Sequence, residues 1–193
     1  MVAKPLINLP SFKDIQDRIH FWFESDRLGP DVPATHWMLF FKSTMLKLCK
    51  DKFLLFDESS EFRPGAYAVC CSKISIGKRV VIRPSTMLFA DPYNDDGIIV
   101  IEDDVLIGSG VHIYVNNHKF DDPLQPILLQ GHQLSAPVTL KRGCWIGANS
   151  ILLKGVTIGE NAVVGAGSVV THSIPSFTVL AGIPARQIRK IRE

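Results

Sequence analysis

The hydrophobic positions of this chain follow a period of six over its second half. Leu140, Ile146, Leu152, Ile158, Val164 and Val170 are aliphatic, each six residues after the last. Four places beyond the first five stand Cys144, Ser150, Val156, Ala162 and Ser168, all small or β-branched. Gly147, Gly159 and Gly165 directly follow aliphatic members. The same frame occurs earlier in Ile76-Gly77-x-x-Val80, Ile101-Glu102-x-x-Val105 and Ile107-Gly108-x-x-Val111. A six-residue step matches neither the 3.6-residue period of a helix nor the two-residue period of an open strand. It matches a coil of short straight segments joined by sharp corners, with one aliphatic side chain pointing inward per segment. The expected fold is an all-β solenoid, a parallel β-helix.

The first 52 residues obey other rules. Ser11 is placed to cap a helix through Ile15, Ile19 and Phe23, and the Gly29-Pro30-Asp31-Val32-Pro33 break precedes a second, more apolar helix over 35–50. That second helix carries Lys42, Lys47 and Lys50 beside an apolar face, so it could lie on a membrane surface; packing on the β-helix or on a neighbouring subunit is favoured, because solenoids need caps. Residues 53–73 read as an irregular first coil: Phe56 and Phe62 keep the step, and Pro64-Gly65 disturbs it. The tail from Pro184 to Arg192 reads as a short helix begun by proline, with Arg186, Arg189 and Arg192 on one face. The expected organisation is an N-terminal helical segment (1–52), a β-helix (53–175) with a loop insertion at 116–137, and a capping segment with a short helix (176–193).

Composition narrows the functional classes. With 193 residues, 46% hydrophobic and 21% charged, the chain supports one substantial domain. A net charge of +2 gives no general case for nucleic acid or membrane as partner. Met1 to Pro10 lacks the features of a signal peptide. Cys49, Cys70, Cys71 and Cys144 form no CxxC pair and read as reduced thiols of a cytoplasmic protein. Cys144 could be a nucleophile, but its place in the repeat favours a small buried side chain.

The segments "NNHKFDDPLQPILLQG", "GCWIGANSILLKGVTIGENAVVGAGSVVT" and "IPSFTVLAGIPARQIRKI" resemble the hexapeptide acyltransferases. The similarity covers about residues 74 to 191 and is closest to sugar O-acetyltransferases of polysaccharide biosynthesis and to maltose and galactoside acetyltransferases. The resemblance implies a left-handed helix of three hexads per coil and a homotrimer with sites between subunits. It also implies acetyl-CoA as acyl donor, a carbohydrate acceptor and no required metal.

Between Ile113 and Leu140 the repeat lapses over 27 residues, so roughly 21 are inserted, and long loops on regular scaffolds are disproportionately functional. His118 stands at the root of this insertion. An imidazole suits removal of a hydroxyl proton, and in the resembling families the matching histidine is the base for direct transfer in a ternary complex. Asp121 and Asp122 could orient the ring, bind sugar or only solvate the loop. Asn116 and Asn117 could contact sugar hydroxyls or support turns. By the same resemblance, Arg83 stands where the galactoside enzymes carry an acceptor-binding Asn, and Asp91 where they carry an acceptor-binding Asp. Arg83 could instead grip an anionic acceptor or be a surface cation.

For acetyl-CoA, the resemblance picks out Ala148, Ala166, Thr171, His172, Arg186 and Arg189. Ala148 lacks the hydroxyl those enzymes carry near the thioester, so oxyanion stabilisation there falls to a backbone N–H. His172 replaces their usual Lys. Trp145 could wall the thioester end or simply pack at the coil's edge. Three rival functions remain: N-acetylation of an amino sugar or nucleotide-sugar, a γ-type carbonic anhydrase using His112, His118 and His132, and a non-catalytic scaffold.

Overall fold

The computed structural model describes residues 9–191; the reading of Met1 to Pro10 and the place of Arg192 fall mostly or wholly outside them. Five coils of three short strands stack along one axis. The first coil is β2 (Leu55–Phe56), β3 (Glu61–Phe62) and β4 (Tyr67–Val69), preceded by a short β1 (Arg27–Leu28). The second is β5 (Ile74–Ile76), β6 (Val81–Ile82) and β7 (Met87–Phe89). The third is β8 (Ile99–Ile101), β9 (Leu106–Ile107) and β10 (His112–Tyr114). The fourth is β11 (Val138–Leu140), β12 (Trp145–Ile146) and β13 (Ile151–Leu152), and the fifth β14 (Thr157–Ile158), β15 (Val163–Val164) and β16 (Val169–Val170). From β2 to β16, strands three apart pair in parallel, except β6 and β9, which makes three faces. Face one is β2-β5-β8-β11-β14; face two is β3-β6 followed by β9-β12-β15; face three is β4-β7-β10-β13-β16, with β1 antiparallel on its edge.

The six-residue series is the core. Leu140, Ile146, Leu152, Ile158 and Val164 are fully buried and fall on successive faces, and the intervening Cys144, Ser150, Val156, Ala162 and Ser168 are buried at the corners. Burial pushes the Cys144 thiol up to about 12, so this cysteine is an inert corner residue and no nucleophile. The first coil is irregular, as expected, but at a different place: the six-residue step survives Pro64-Gly65 and is broken by the 3-10 turn Cys71–Lys73, which makes the step from Ala68 to Ile76 eight residues. Phe56, Phe62 and Ala68 are buried on the three faces, and Pro64-Gly65 sits at a corner where Gly65 takes φ +87°.

Helix α1 (Phe12–Glu24) is capped by Ser11, which accepts from Asp14 N–H at 3.1 Å while its own N–H donates to the Asp14 carboxylate at 2.8 Å. It buries no residue. The single helix expected over 35–50 is broken into α2 (Pro33–His36), a 3-10 turn (Trp37–Phe40) and α3 (Lys42–Lys52). The break is at Phe41, whose backbone is extended, and the Thr44 hydroxyl donates to the carbonyls of Met38 (2.6 Å) and Phe41 (3.1 Å) on either side of it. Met45, Leu48 and Cys49 of α3 join Phe53, Phe56 and Phe62 in the buried cluster, so this helix closes the open end of the first coil.

The tail is not the expected helix. β17 (Thr178–Gly182) pairs with β15 in parallel and turns back through Ile183-Pro184 into β18 (Ala185–Lys190), antiparallel to β17. The edge of β15 takes up β17, and the outer edge of β17 then offers unpaired backbone groups to β18; pairing with them outweighs the helical preference of this arginine-rich segment.

Candidate active site

Each coil has three corners, and the candidate residues collect at two of them. Where face three passes to face one, the second coil makes the excursion Asp91 to Gly97 and the third coil the insertion 116–137; the fifth coil turns there at Thr171 and His172. Where face two passes to face three lie Arg83 in the second coil, Ala148 in the fourth and Ala166 in the fifth.

The insertion is a hydrogen-bonded stalk. Lys119 N–H donates to Gly131 O at 3.0 Å, Gln133 N–H to Asn117 O at 2.8 Å and Ala136 N–H to Val115 O at 2.9 Å. Farther out, the Gln130 side-chain amide bonds Asp122 and Gln125 backbone groups. Asp122 therefore shapes the loop, its carboxylate accepting from Leu124 N–H at 2.9 Å; Asp121 is exposed beside it. His118 is exposed at the root, its ring tilted 34° over that of His132 with centroids 4.3 Å apart.

Asp91 is buried, only 5% exposed. Its carboxylate accepts from Tyr93 N–H (2.9 Å), the Asn116 amide (3.2 Å) and the Ser135 hydroxyl. Burial pushes this carboxyl up, but those hydrogen bonds and the charge of His132 outweigh it, and Asp91 lies below the usual carboxylate range. Asp91 thus ties the 91–97 excursion to both limbs of the insertion. Asp91, Tyr93, Asn116, His132 and Ser135 line a cleft of about 310 Å³. In the sequence His132 stands out only as a candidate zinc ligand and Ser135 not at all; the repeat cannot reveal them, because both lie where it lapses.

The depressed Asp91 carboxyl has a pH consequence. A group whose folded pKa is lowered stabilises above its unfolded value and loses that contribution as pH falls through the folded value. Wild type is therefore expected to exceed Asp91→Asn in melting temperature by a constant margin down to about pH 5, a margin that shrinks below about pH 4. Thermal melts at stepped pH measure this, and an undiminished margin near pH 3 would refute a depressed carboxylate there.

At the other corner the backbone comes unusually close. A Cβ on Gly108 would meet Ala148 N at 2.5 Å, and one on Gly147 would lie 2.8 Å from Ala166 Cα. Glycine is therefore required at these two positions, where successive coils run backbone against backbone. Beside this corner on face two, Trp145, Val163, Val179 and Arg189 are register partners in consecutive strands. Arg186 is paired with Ala181. The register slips between Val179 and Leu180, so Ile188 is the extra residue, and this bulge puts Arg186 and Arg189 on the outward face that carries Ala181 and Val179. The two arginines share a face, as expected, but through a bulge and not a helix turn. From Trp145 to Arg189 is three strand spacings, about 14 Å.

Within one chain the structure thus groups Asp91, Asn116 and His118 with Thr171 and His172 along one edge, and Arg83 with Ala148, Ala166, Trp145, Arg186 and Arg189 along another. His112 stays apart from His118, its Nδ1 lying 3.1 Å from the Tyr114 hydroxyl.

Comparisons with known proteins match this architecture. Residues 137–172 fit the family model described as bacterial transferase hexapeptide (six repeats). Galactoside O-acetyltransferase of Escherichia coli is 35% identical over 146 residues, 76% of this chain and 68% of that protein. A solved galactoside acetyltransferase in complex with coenzyme A superposes with a TM-score of 0.69 at 28% identity, covering 96% of this chain and 92% of its own. A serine-to-alanine mutant of AntD, an N-acyltransferase of Bacillus cereus solved with dTDP-4-amino-4,6-dideoxyglucose and coenzyme A, gives 0.61 at 26% identity, covering 77% and 89%. With its left-handed parallel β-helix, its six-residue repeat and this similarity across most of its length, the chain belongs to the hexapeptide-repeat acetyltransferases.

Proposed function

We propose that this acetyltransferase moves an acetyl group from acetyl-CoA to a carbohydrate hydroxyl, directly in a ternary complex, with His118 as general base. The observation that carries this is His118 itself: an exposed imidazole on a hydrogen-bonded stalk, next to a polar cleft lined by Asn116 and Tyr93. As the sugar oxygen attacks the thioester carbonyl, a ring nitrogen of His118 takes its proton; the C–S bond then breaks, the imidazolium returns that proton to the departing sulfur, and the coenzyme leaves as a thiol. Ala148 and Ala166 flank the coenzyme track, and because Ala148 has no hydroxyl, stabilisation of the developing oxyanion there falls to a backbone N–H. Asp91 has its carboxylate engaged by three donors, so its part is to hold the acceptor cleft in shape.

The division of candidates between two edges supports a homotrimer. His118 and the acceptor cleft lie on one edge and the coenzyme track on another, so one subunit's first edge against its neighbour's second completes each site. Thr171 and His172 then approach the coenzyme from the neighbour. Their side chains bond each other, Thr171 Oγ1 to His172 Nδ1 at 2.8 Å.

A second reading, N-acetylation of an amino sugar, is favoured by the AntD similarity, since the same histidine could take a proton from an amine. Thiol release from acetyl-CoA across a panel of sugars, amino sugars and nucleotide-sugars separates the two. Turnover only with amino sugars would refute the O-acetyl reading, and turnover with neither would refute both. Arg186 and Arg189 are assigned to the coenzyme's phosphates; replacing both with alanine is expected to weaken CoA binding by about tenfold or more, as loss of charge-assisted hydrogen bonds does. Calorimetry checks this, and unchanged affinity would remove them from the site.

A further inference from the structure

The two limbs of the insertion meet so as to single out a second histidine. The bonds from Lys119 N–H to Gly131 O and from Gln133 N–H to Asn117 O bracket His118 and His132, which are bridge partners in an antiparallel pairing. This is the non-hydrogen-bonded kind of pair, in which facing side chains stand closest and on the same side. The backbone register itself therefore brings the rings to 4.3 Å.

A general base must hold its nitrogen within hydrogen-bond reach of one proton, and misplacement by about 1 Å can cost about 10²-fold in rate. His118 is solvent-exposed, and an exposed imidazole ordinarily samples several rotamers. Its ring appears in no side-chain hydrogen bond among the described residues; the contact that restrains its plane is His132. The limb bearing His132 is in turn fixed. Ser135 donates to buried Asp91, Ala136 N–H to Val115 O at 2.9 Å, and Lys154 Nζ to Leu134 O at 3.0 Å. Asp91 and His132 line the same cleft, and the carboxylate feels the imidazole's charge.

We propose that His132 is a positioning residue, whose ring stacks on His118 and holds it in the orientation that accepts the acceptor's proton. This rests on His118 being the base. The chain of support runs from Asp91 through Ser135 and the second limb to His132, then across the ring contact to His118.

The test compares His132→Ala, His132→Phe and His118→Ala, using acetyl-CoA with a galactoside acceptor and NMR of the ring C–H signals of His118. His132→Ala is expected to lower kcat about 10- to 100-fold with KM for acetyl-CoA unchanged. His132→Phe should restore most of kcat and keep the pH profile of kcat/KM, because a flat ring suffices. The His118 signals should lose their ring-current shift in His132→Ala and keep one in His132→Phe. The NMR arm needs no acceptor, so it tests the stack even if the chosen sugar is not accepted. Wild-type kcat or unmoved His118 signals in His132→Ala would overturn the proposal. So would a His132→Phe variant as impaired as His132→Ala, which would make a ring nitrogen the needed part. An inactive His118→Ala beside a fully active His132→Ala would sink the positioning role alone, while an active His118→Ala would sink the base assignment and the proposal with it.

Discussion

Replacing His118 with alanine is expected to lower kcat by about 10²–10⁴-fold, the range for loss of a general base, while CoA affinity stays within about twofold of wild type. The two quantities separate because His118 stands on the loop edge and the coenzyme track is proposed for the edge built from Ala148 and Ala166. The side chain is exposed and carries no core packing, so the melting temperature should hardly move. Single-turnover thiol release, calorimetry with CoA and a thermal melt together decide the matter. Turnover like that of wild type would exclude His118 as the base. A parallel loss of CoA binding would instead place the histidine in the donor site.

Gly147→Ala should give the largest effect on stability. The added methyl would lie 2.8 Å from Ala166 Cα and Gly165 C, against backbone on the next coil. Backbone cannot rotate away as a side chain can, so the coils must part. A loss of about 3 kcal/mol, the upper end for overpacking in a tight core, is expected. Gly131→Ala supplies the contrast. No atom lies within 4 Å of its added Cβ, and only the φ of +76° resists the change, at about 1 kcal/mol. Denaturant titrations of the two variants measure the difference; equal losses would mean that the coils part at little cost and that coil spacing does not select glycine at position 147. Because Gly147 adjoins Ala148, the variant should also disturb the coenzyme track.

How much of the site is visible before folding depends on whether a residue belongs to the repeat. Ala148, Ala166 and Trp145 hold repeat positions, so their place on corners and faces follows from counting. His118 is identifiable because the repeat stops beside it and because its motif resembles that of known acetyltransferases. His132 and Ser135 carry no such mark. They lie 14 and 17 residues beyond His118 in an aperiodic stretch, and only the pairing of the two limbs brings them to the site. Asp91 was identified by resemblance as an acceptor contact, but its burial and three donors support an anchoring part instead.

The amino-acid pattern by itself determined the solenoid, because an aliphatic residue every sixth position can be buried in one contiguous core only if the chain turns at each corner. It also determined where glycine and small residues must stand, and that an aperiodic loop leaves the third coil. Tertiary structure alone decided the rest. The arginine-rich tail, helical by local preference, became a strand because β17, itself laid along β15, offered it backbone partners. The helix expected over 35–50 broke at Phe41 to lay α3 across the open first coil. The register of the insertion set one histidine ring against another. Each of these outcomes turns on contacts between residues far apart in the chain, whose free energy outweighs local propensity and is invisible to any count made along the sequence.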